Sequence, residues 1–105
     1  MASGRLGAAD LTADTDTLLY TVPAGKIATV NIRVTNRNAI SAAITLAIGP
    51  GQTPAAADYI EYQAPLDGHL PLEDTGLILS AGEKVWARAS LAGVSVRVHG
   101  YEGDA

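Results

Sequence analysis

Residues 18–36 read LLYTVPAGKIATVNIRVTN, and the alternation of side chains within this stretch decides the fold class. Period-two alternation of apolar and polar residues is typical of a β-strand with one face on a core and the other in water. Before that strand, Pro23 fixes its φ angle and Gly25 tolerates positive φ, as a tight turn requires. We therefore predict a hairpin, whose second strand buries Ala28, Val30, Ile32 and Val34.

The same pattern of strand and turn continues along the chain. Ala42–Ile48 again alternates, and a second glycine turn at residues 80–83 precedes the apolar segment Lys84–Ser90. Leu70–Glu73 contains Pro71, which cannot donate a ladder hydrogen bond and therefore favours a sheet edge. Gly76–Leu79 is predicted as a separate short strand. About eight short strands with turn signals every 8–12 residues predict an all-β fold, a single-domain antiparallel β-sandwich of jelly-roll or Greek-key type.

The amino-terminal segment differs in composition from the rest. Residues 1–16 are mostly Ala, Gly, Asp and Thr, and Leu6 and Leu11 are their only large aliphatic side chains after Met1. Such a segment buries too little surface to offset its ordering entropy by itself. We predict a flexible arm over residues 1–16 and a β-sandwich domain over residues 17–105. The alternative is an arm that orders on a neighbouring subunit through Leu6 and Leu11.

Composition excludes several classes of protein. The chain has 105 residues, no cysteine and a formal net charge of −4, so disulfides and thiolate metal sites are absent. Nucleic-acid binding is disfavoured because it needs clustered Lys and Arg, and the seven basic residues here are scattered. No apolar stretch approaches the roughly 18 residues of a membrane span, and the start lacks a secretory signal. We expect synthesis in the cytoplasm, with no membrane partner.

Candidate site residues are few. The histidines, His69 and His99, have no ligand-spaced neighbours, and no catalytic motif is present, so we predict a non-enzymatic protein without cofactor or metal. Trp86 shares a strand face with Lys84 and Arg88. It is either an exposed interface anchor flanked by cations or a buried core residue. Tyr59 and Tyr62 fall on opposite faces of a strand, which exposes one of them. The candidate interaction residues are Leu6, Leu11, Tyr59, Trp86 and Arg88.

Several motifs, taken in order, indicate a family. They are LGAADL (6–11), LYTVPAGK (19–26), VNIRVTNRN (30–38), ADYIEY (57–62), LEDTGLILSAGEKVW (72–86) and VSVRVHGYE (94–102). Their succession resembles the small β-sandwich virion proteins of tailed bacteriophages. In related sequences we expect a cation where this chain has Asp74. A contact that depends on positive charge at this position is therefore not expected in this chain. The resemblance implies a non-enzymatic structural component of the phage particle.

The resemblance sets the functional expectations. The first is a capsid decoration (cement) protein that forms a homo-oligomer, a dimer or trimer, and binds the major capsid protein or other virion proteins. It would reside on the capsid surface of the virion, and in the host cytoplasm during assembly. The second is a structural protein of the tail, baseplate or fibre attachment point. The third is a carbohydrate-binding module, since jelly-roll sandwiches include lectin domains.

Overall fold

Two four-stranded antiparallel sheets form the molecule in a computed structural model that describes residues 3–105. The part of the predicted arm at residues 1 and 2 lies outside the described residues. The only helical segment between residues 3 and 105 is one short 3-10 turn at Ala56–Asp58. The strands are β1 (Ser3–Asp10), β2 (Thr17–Thr21), β3 (Lys26–Asn36), β4 (Ala42–Gly49), β5 (Tyr59–Leu66), β6 (Pro71–Leu79), β7 (Lys84–Ala89) and β8 (Val94–Asp104).

The strand order is that of a jelly roll. Sheet A has the order β1-β8-β3-β6 and sheet B the order β2-β7-β4-β5. The first half of the chain therefore pairs with the second half in reverse: β1 with β8, β2 with β7, β3 with β6 and β4 with β5. Such an arrangement is that of one long hairpin rolled up on itself. The predicted all-β sandwich is confirmed, and the jelly-roll alternative describes its topology.

The predicted hairpin between β2 and β3 is wrong. The Pro23–Lys26 turn is present, with Gly25 at φ +75°, but it joins a strand of sheet B to a strand of sheet A. Only β4 and β5 follow each other within one sheet. Alternation in a sequence reports that a strand is half-buried, but it carries no information on which strand lies beside it. Pairing partners here are distant in sequence, which local turn chemistry cannot reveal.

The core lies between the two sheets and is aliphatic. The predicted inner residues of β3, Ala28, Val30, Ile32 and Val34, are fully buried. In β4 the predicted face of alternating apolar residues is also inward, although Ile48 at its end is only half-buried. The inner face of β3 could be predicted because the other face of that strand is wet. In β4 the alternation of large aliphatic residues with Ala and Thr predicted the inner face, although its outer residues Thr45 and Ala47 are also buried.

The predicted flexible arm is wrong for residues 3–10. Residues 3–10 form an edge strand that is paired with β8 from Ser3↔Tyr101 to Asp10↔Ser95. Backbone pairing with β8, together with the packing of Leu6 and Leu11 on the core, holds this strand, so its composition of mostly small residues gave little sign of it. A glycine at position 7 lets β1 approach β2 closely, because a Cβ there would lie 2.1 Å from the Leu19 carbonyl oxygen of β2. The sandwich therefore includes β1 and is closed along the β1–β2 side.

The second half contains a further correction. The segments 70–73 and 76–79, predicted as separate strands, are one edge strand, β6, interrupted by an irregularity opposite Val30 and Ile32. Gly76 adopts φ +69° at this bulge, and its N–H donates to the Asn31 side-chain oxygen at 2.9 Å. The predicted total of eight strands is thus reached with one strand merged and β1 added. Pro71 lies at an edge, as its missing donor requires.

A buried asparagine ties three loops together at one end of the sandwich. Asn36, fully buried at the end of β3, donates through Nδ2 to the carbonyls of Ile40 (2.9 Å) and Leu66 (3.0 Å). Its Oδ1 accepts from both the backbone and the side-chain nitrogens of Asn38, at 3.0 Å each. Asn38 in turn donates to the Ala92 carbonyl at 2.8 Å. One side chain thereby organises the β3–β4, β5–β6 and β7–β8 loops.

The two sheets are also joined by a polar contact inside the sandwich. The Tyr20 hydroxyl of β2 donates to the Glu102 carboxylate of β8, and both residues are buried. Burial and the adjacent Glu102 carboxylate raise the pKa of the Tyr20 hydroxyl, so it remains a proton donor under all physiological conditions. A buried carboxylate needs such a donor, because leaving it unpaired is costly.

We predict that Asn36→Ala lowers the free energy of unfolding by about 3 kcal/mol, since several hydrogen bonds are lost and buried carbonyls are left without donors. Asn31→Ala is the matched control, because Asn31 makes one exposed hydrogen bond to Gly76; its cost should be about 1 kcal/mol or less. Urea unfolding of both variants measures the difference. Equal losses would contradict the role assigned to Asn36.

Candidate interaction surfaces

The two leucines predicted as arm anchors pack on this chain's own core. Leu11, directly after β1, is 3% exposed and belongs to the main core cluster, and Leu6 packs against that cluster while remaining partly exposed. The Leu11 N–H donates to the Val94 carbonyl at 2.9 Å, which extends the pairing of β1 with β8. Neither leucine is available as a grip on another subunit in this conformation. Their role is to hold the edge strand in place.

Trp86 lies on the predicted strand face but is not exposed. It points away from the main core, on the same side of sheet B as Ala47, its partner on β4. Trp86 is nevertheless only 5% exposed and Ala47 only 1%, so this part of the outer face is covered. Neighbouring Lys84 donates to the Pro50 carbonyl at 3.1 Å, which brings the β4–β5 loop beside β7. Of the two alternatives predicted for Trp86, the exposed anchor is wrong and the buried residue is correct, although Trp86 is buried on the outer side of sheet B while Ala87 and Ala89 face the main core.

We predict that Trp86→Ala lowers the free energy of unfolding by about 3–5 kcal/mol, the cost of emptying a buried aromatic site. Tyr101→Ala is the control, because Tyr101 is a large aromatic residue on the exposed side of sheet A and should change stability by about 0.5 kcal/mol or less. Chemical denaturation followed by circular dichroism measures both. An unchanged stability in Trp86→Ala would show that the residue is not packed.

A cleft of about 430 Å³ lies on the outer side of sheet B and includes two of the predicted residues, Tyr59 and Arg88. Tyr59 and Tyr62 meet edge to face with ring centroids 4.9 Å apart, although simple alternation put them on opposite faces. Two irregularities in the pairing of β5 with β4 account for the change, and Gln63 adopts φ +49° at one of them. Tyr59 is half-buried and Tyr62 is exposed, as one of the pair was predicted to be.

Polar groups line the rest of this cleft. Arg88 approaches Asp16 with an N–O distance of 3.8 Å, and Asp14 lies beside them in the loop after Leu11. The Thr45 hydroxyl oxygen accepts a hydrogen bond from the Gln63 N–H at 3.1 Å, which fixes the irregular part of β5 over the sheet. The cleft thus combines an aromatic wall with carboxylate, guanidinium and amide groups. It has the composition of a site for a small polar ligand.

The outer face of sheet A is the second candidate surface, and the sequence analysis did not single it out. Ile78, Thr29 and Tyr101 stand side by side on β6, β3 and β8, and Ile27 follows next to Thr29 on the same face. Ile78 is 70% exposed, Tyr101 54% and Ile27 39%. We call Ile27, Ile78 and Tyr101 the apolar row. A signal existed in the sequence, since each occupies a position where alternation expects a polar residue.

Two carboxyl groups meet at the side of the sandwich opposite β1 and β2. Glu61 on edge strand β5 and Asp74 on edge strand β6 both stand opposite inward-facing residues, Leu46 and Ile32. One carboxylate oxygen of Asp74 is buried without a hydrogen-bond partner in residues 3–105. Burial and the Asp74 carboxylate raise the pKa of Glu61 above its usual 4.5. Inward-pointing charges on edge strands also discourage pairing with another sheet.

The acidic pair predicts a stability that decreases as pH rises. Because the pKa of Glu61 is higher in the folded than in the unfolded chain, the folded chain holds an extra proton just above pH 4.5. The protonated Glu61 therefore adds to the free energy of unfolding. This stabilisation is complete below the unfolded-state pKa and is lost as pH rises through the folded-state pKa. Glu61→Gln should remove this component, and Asp74→Asn should reduce it. Glu73→Gln, on the outer face of β6, is the control. The measurement is the thermal unfolding midpoint between pH 4 and 8. If Glu61→Gln showed the same pH dependence as the wild type, Glu61 would not be its source.

Within residues 3–105, no three His, Asp, Glu or Cys residues are placed to share a metal ion. The same part of the chain contains no helix that could span a membrane. No protein-family model, curated protein or solved structure matches this chain.

Proposed function

We propose that this chain is a non-enzymatic virion protein of a tailed bacteriophage, a capsid decoration protein that binds the outer capsid lattice and stabilises it. It would act as a homo-oligomer on the particle surface and occur in the host cytoplasm during assembly. The observation that carries the proposal is the strand order, because eight-stranded jelly rolls of two four-stranded sheets recur in viral capsid and lectin domains. The succession of motifs along residues 6–102 supports the same class.

The outer face of sheet A suits contact with a lattice. Four hydrogen-bonded strands make a broad, continuous surface, and the apolar row places three large exposed side chains at one end of it. Adjacent exposed apolar residues of this kind mark interaction surfaces. A capsid offers many equivalent sites, so a modest interface on each copy is sufficient when an oligomer engages several sites at once.

A structural role in the tail, baseplate or fibre attachment point would use the same surface and is the alternative within the virion. A specific observation favours one function of another class, glycan binding. The cleft on sheet B has the edge-to-face Tyr59–Tyr62 pair beside Arg88 and Asp16. Jelly-roll lectins use the same architecture, and a cleft of about 430 Å³ accommodates a small saccharide.

We predict that the wild-type protein sediments with undecorated capsids of the phage that encodes it, and that Ile78→Asp weakens this binding at least about tenfold. The aspartate puts a charge into the apolar row, and its desolvation opposes burial at an interface. Ile40→Asp is the matched control: Ile40 is as exposed as Ile78 is, but it lies in the β3–β4 loop. Electron microscopy of the pelleted particles shows whether the bound density follows the capsid symmetry.

If Ile78→Asp and Ile40→Asp weakened capsid binding equally, the outer face of sheet A would not be the contact surface. Folded wild-type protein that leaves capsids bare would contradict the decoration role, and binding to isolated tails would then select the alternative within the virion. Binding to a glycan array that disappears in Tyr62→Ala would instead select the cleft on sheet B.

A further inference from the structure

We propose that the outer face of sheet A binds a carboxylate group of an acidic protein partner between Arg33 and Arg97. The inference names the chemistry of the partner at the surface proposed above, and it rests on the proposed function for identifying that partner as a virion protein. Its structural basis is the part of sheet A next to the apolar row. That part carries a local positive charge on a chain whose net charge is −4.

The first observation is a like-charge pair in the sheet. Arg33 of β3 and Arg97 of β8 are directly opposite each other, and both belong to the outward-facing set of residues. Directly opposed like charges destabilise an antiparallel pair. Arg33 has a distant partner in Glu73 on its other side, with an N–O distance of 3.7 Å. Arg97 has no ion-pair partner among residues 3–105.

The second observation is the shape around this pair. A shallow hollow of about 500 Å³ lies over β1, β8 and β3, and both arginines line it. The residue beside Arg97 on β1 is Ala8, whose small side chain leaves the guanidinium open on that side. In the next outward-facing row Thr35 and Ser95 are opposite each other, and they also line the hollow. Two guanidinium groups and two hydroxyl donors thus surround one space.

This combination of donors selects an anion of carboxylate size. Guanidinium groups bind carboxylates through two parallel hydrogen bonds, and hydroxyl groups can donate to the same oxygens. Asp10 also lines the hollow, but it forms its own ion pair with Arg37 and therefore competes little for Arg97. The strongest unmatched charge in this hollow is the Arg97 guanidinium.

Charge also restricts which molecule supplies the anion. A two-fold dimer whose axis passes through the hollow would bring Arg33 and Arg97 of one copy against the same pair of the other, which adds repulsion. A nucleic-acid backbone is disfavoured by the net charge of −4 and the scattered basic residues. An aspartate or glutamate side chain of a different protein satisfies the arginines without that repulsion, and it needs only this one local cationic site rather than a run of basic residues. Apolar contact at the apolar row and a carboxylate at the hollow together describe one partner surface.

The test uses the full chain and needs no phage particle. Hexaglutamate peptide, at low salt, should shift the NMR signals of the Thr35 and Ser95 amides, and hexaglutamine should not. Arg97→Gln should weaken hexaglutamate binding at least about tenfold, since a charge-assisted contact is removed. Lys84→Gln, which also removes one positive charge but lies on sheet B outside the hollow and the cleft, should leave it unchanged. Inorganic phosphate at equal charge is the comparison anion.

The inference is overturned if hexaglutamate gives no shift at the hollow, if Arg97→Gln binds as the wild type does, or if phosphate alone reproduces the shift. These results are separable from failure of the decoration role. Capsid binding that persists in Arg97→Gln, with no hexaglutamate binding, would refute only the carboxylate site. Hexaglutamate binding by a protein that ignores capsids would refute only the virion role.

A stability measurement tests the like-charge pair independently. Arg97→Gln should raise the thermal midpoint of the isolated protein by about 1–5 °C, because repulsion across the ladder is relieved. The rise should shrink as salt is added, since salt screens the exposed charges of the wild type. A lower midpoint in Arg97→Gln would show that Arg97 stabilises the isolated protein. That result would contradict the proposal that Arg97 is unpaired until a partner supplies a carboxylate.

Discussion

Closure of the jelly roll depends on the buried hydrogen-bond network of Asn36. Every connection except that between β4 and β5 crosses from one sheet to the other, so the loops at one end must be held in fixed positions over the core. Asn36 and Asn38 supply donors and acceptors to three of these loops. Because a buried amide must satisfy its groups, the network also specifies one arrangement of the loops rather than several.

The two outer faces have different properties although the two sheets have equal numbers of strands. Sheet B is partly covered, so Trp86 is buried and an enclosed cleft remains beside Tyr59 and Arg88. Sheet A is open, with the apolar row at one end and Arg33 and Arg97 further along. A broad open face suits a protein partner, whereas an enclosed cleft suits a small ligand. This difference places the proposed lattice contact on sheet A.

Sequence reasoning was reliable where one side of a strand is wet. The inner face of β3 follows directly from alternation, and the edge position of Pro71 follows from its missing N–H. It failed where the deciding contact is remote: the partner of β2, the pairing of β1 and the cover over Trp86 all depend on residues far away in the chain. The bulges of β5 likewise brought Tyr59 and Tyr62 together against their local pattern. The arginine pair needed the register of β3 and β8.

The most direct test of the lattice-contact surface is hydroxyl-radical footprinting of the protein, free and bound to capsids. Tyr101 and Tyr62 form a natural comparison, since both are exposed tyrosines and they lie on the outer sides of different sheets. The account predicts that capsid binding protects Tyr101, together with Ile78, and leaves the oxidation of Tyr62 unchanged. Protection of Tyr62 with continued oxidation of Tyr101 would contradict it and would place the contact at the cleft of sheet B.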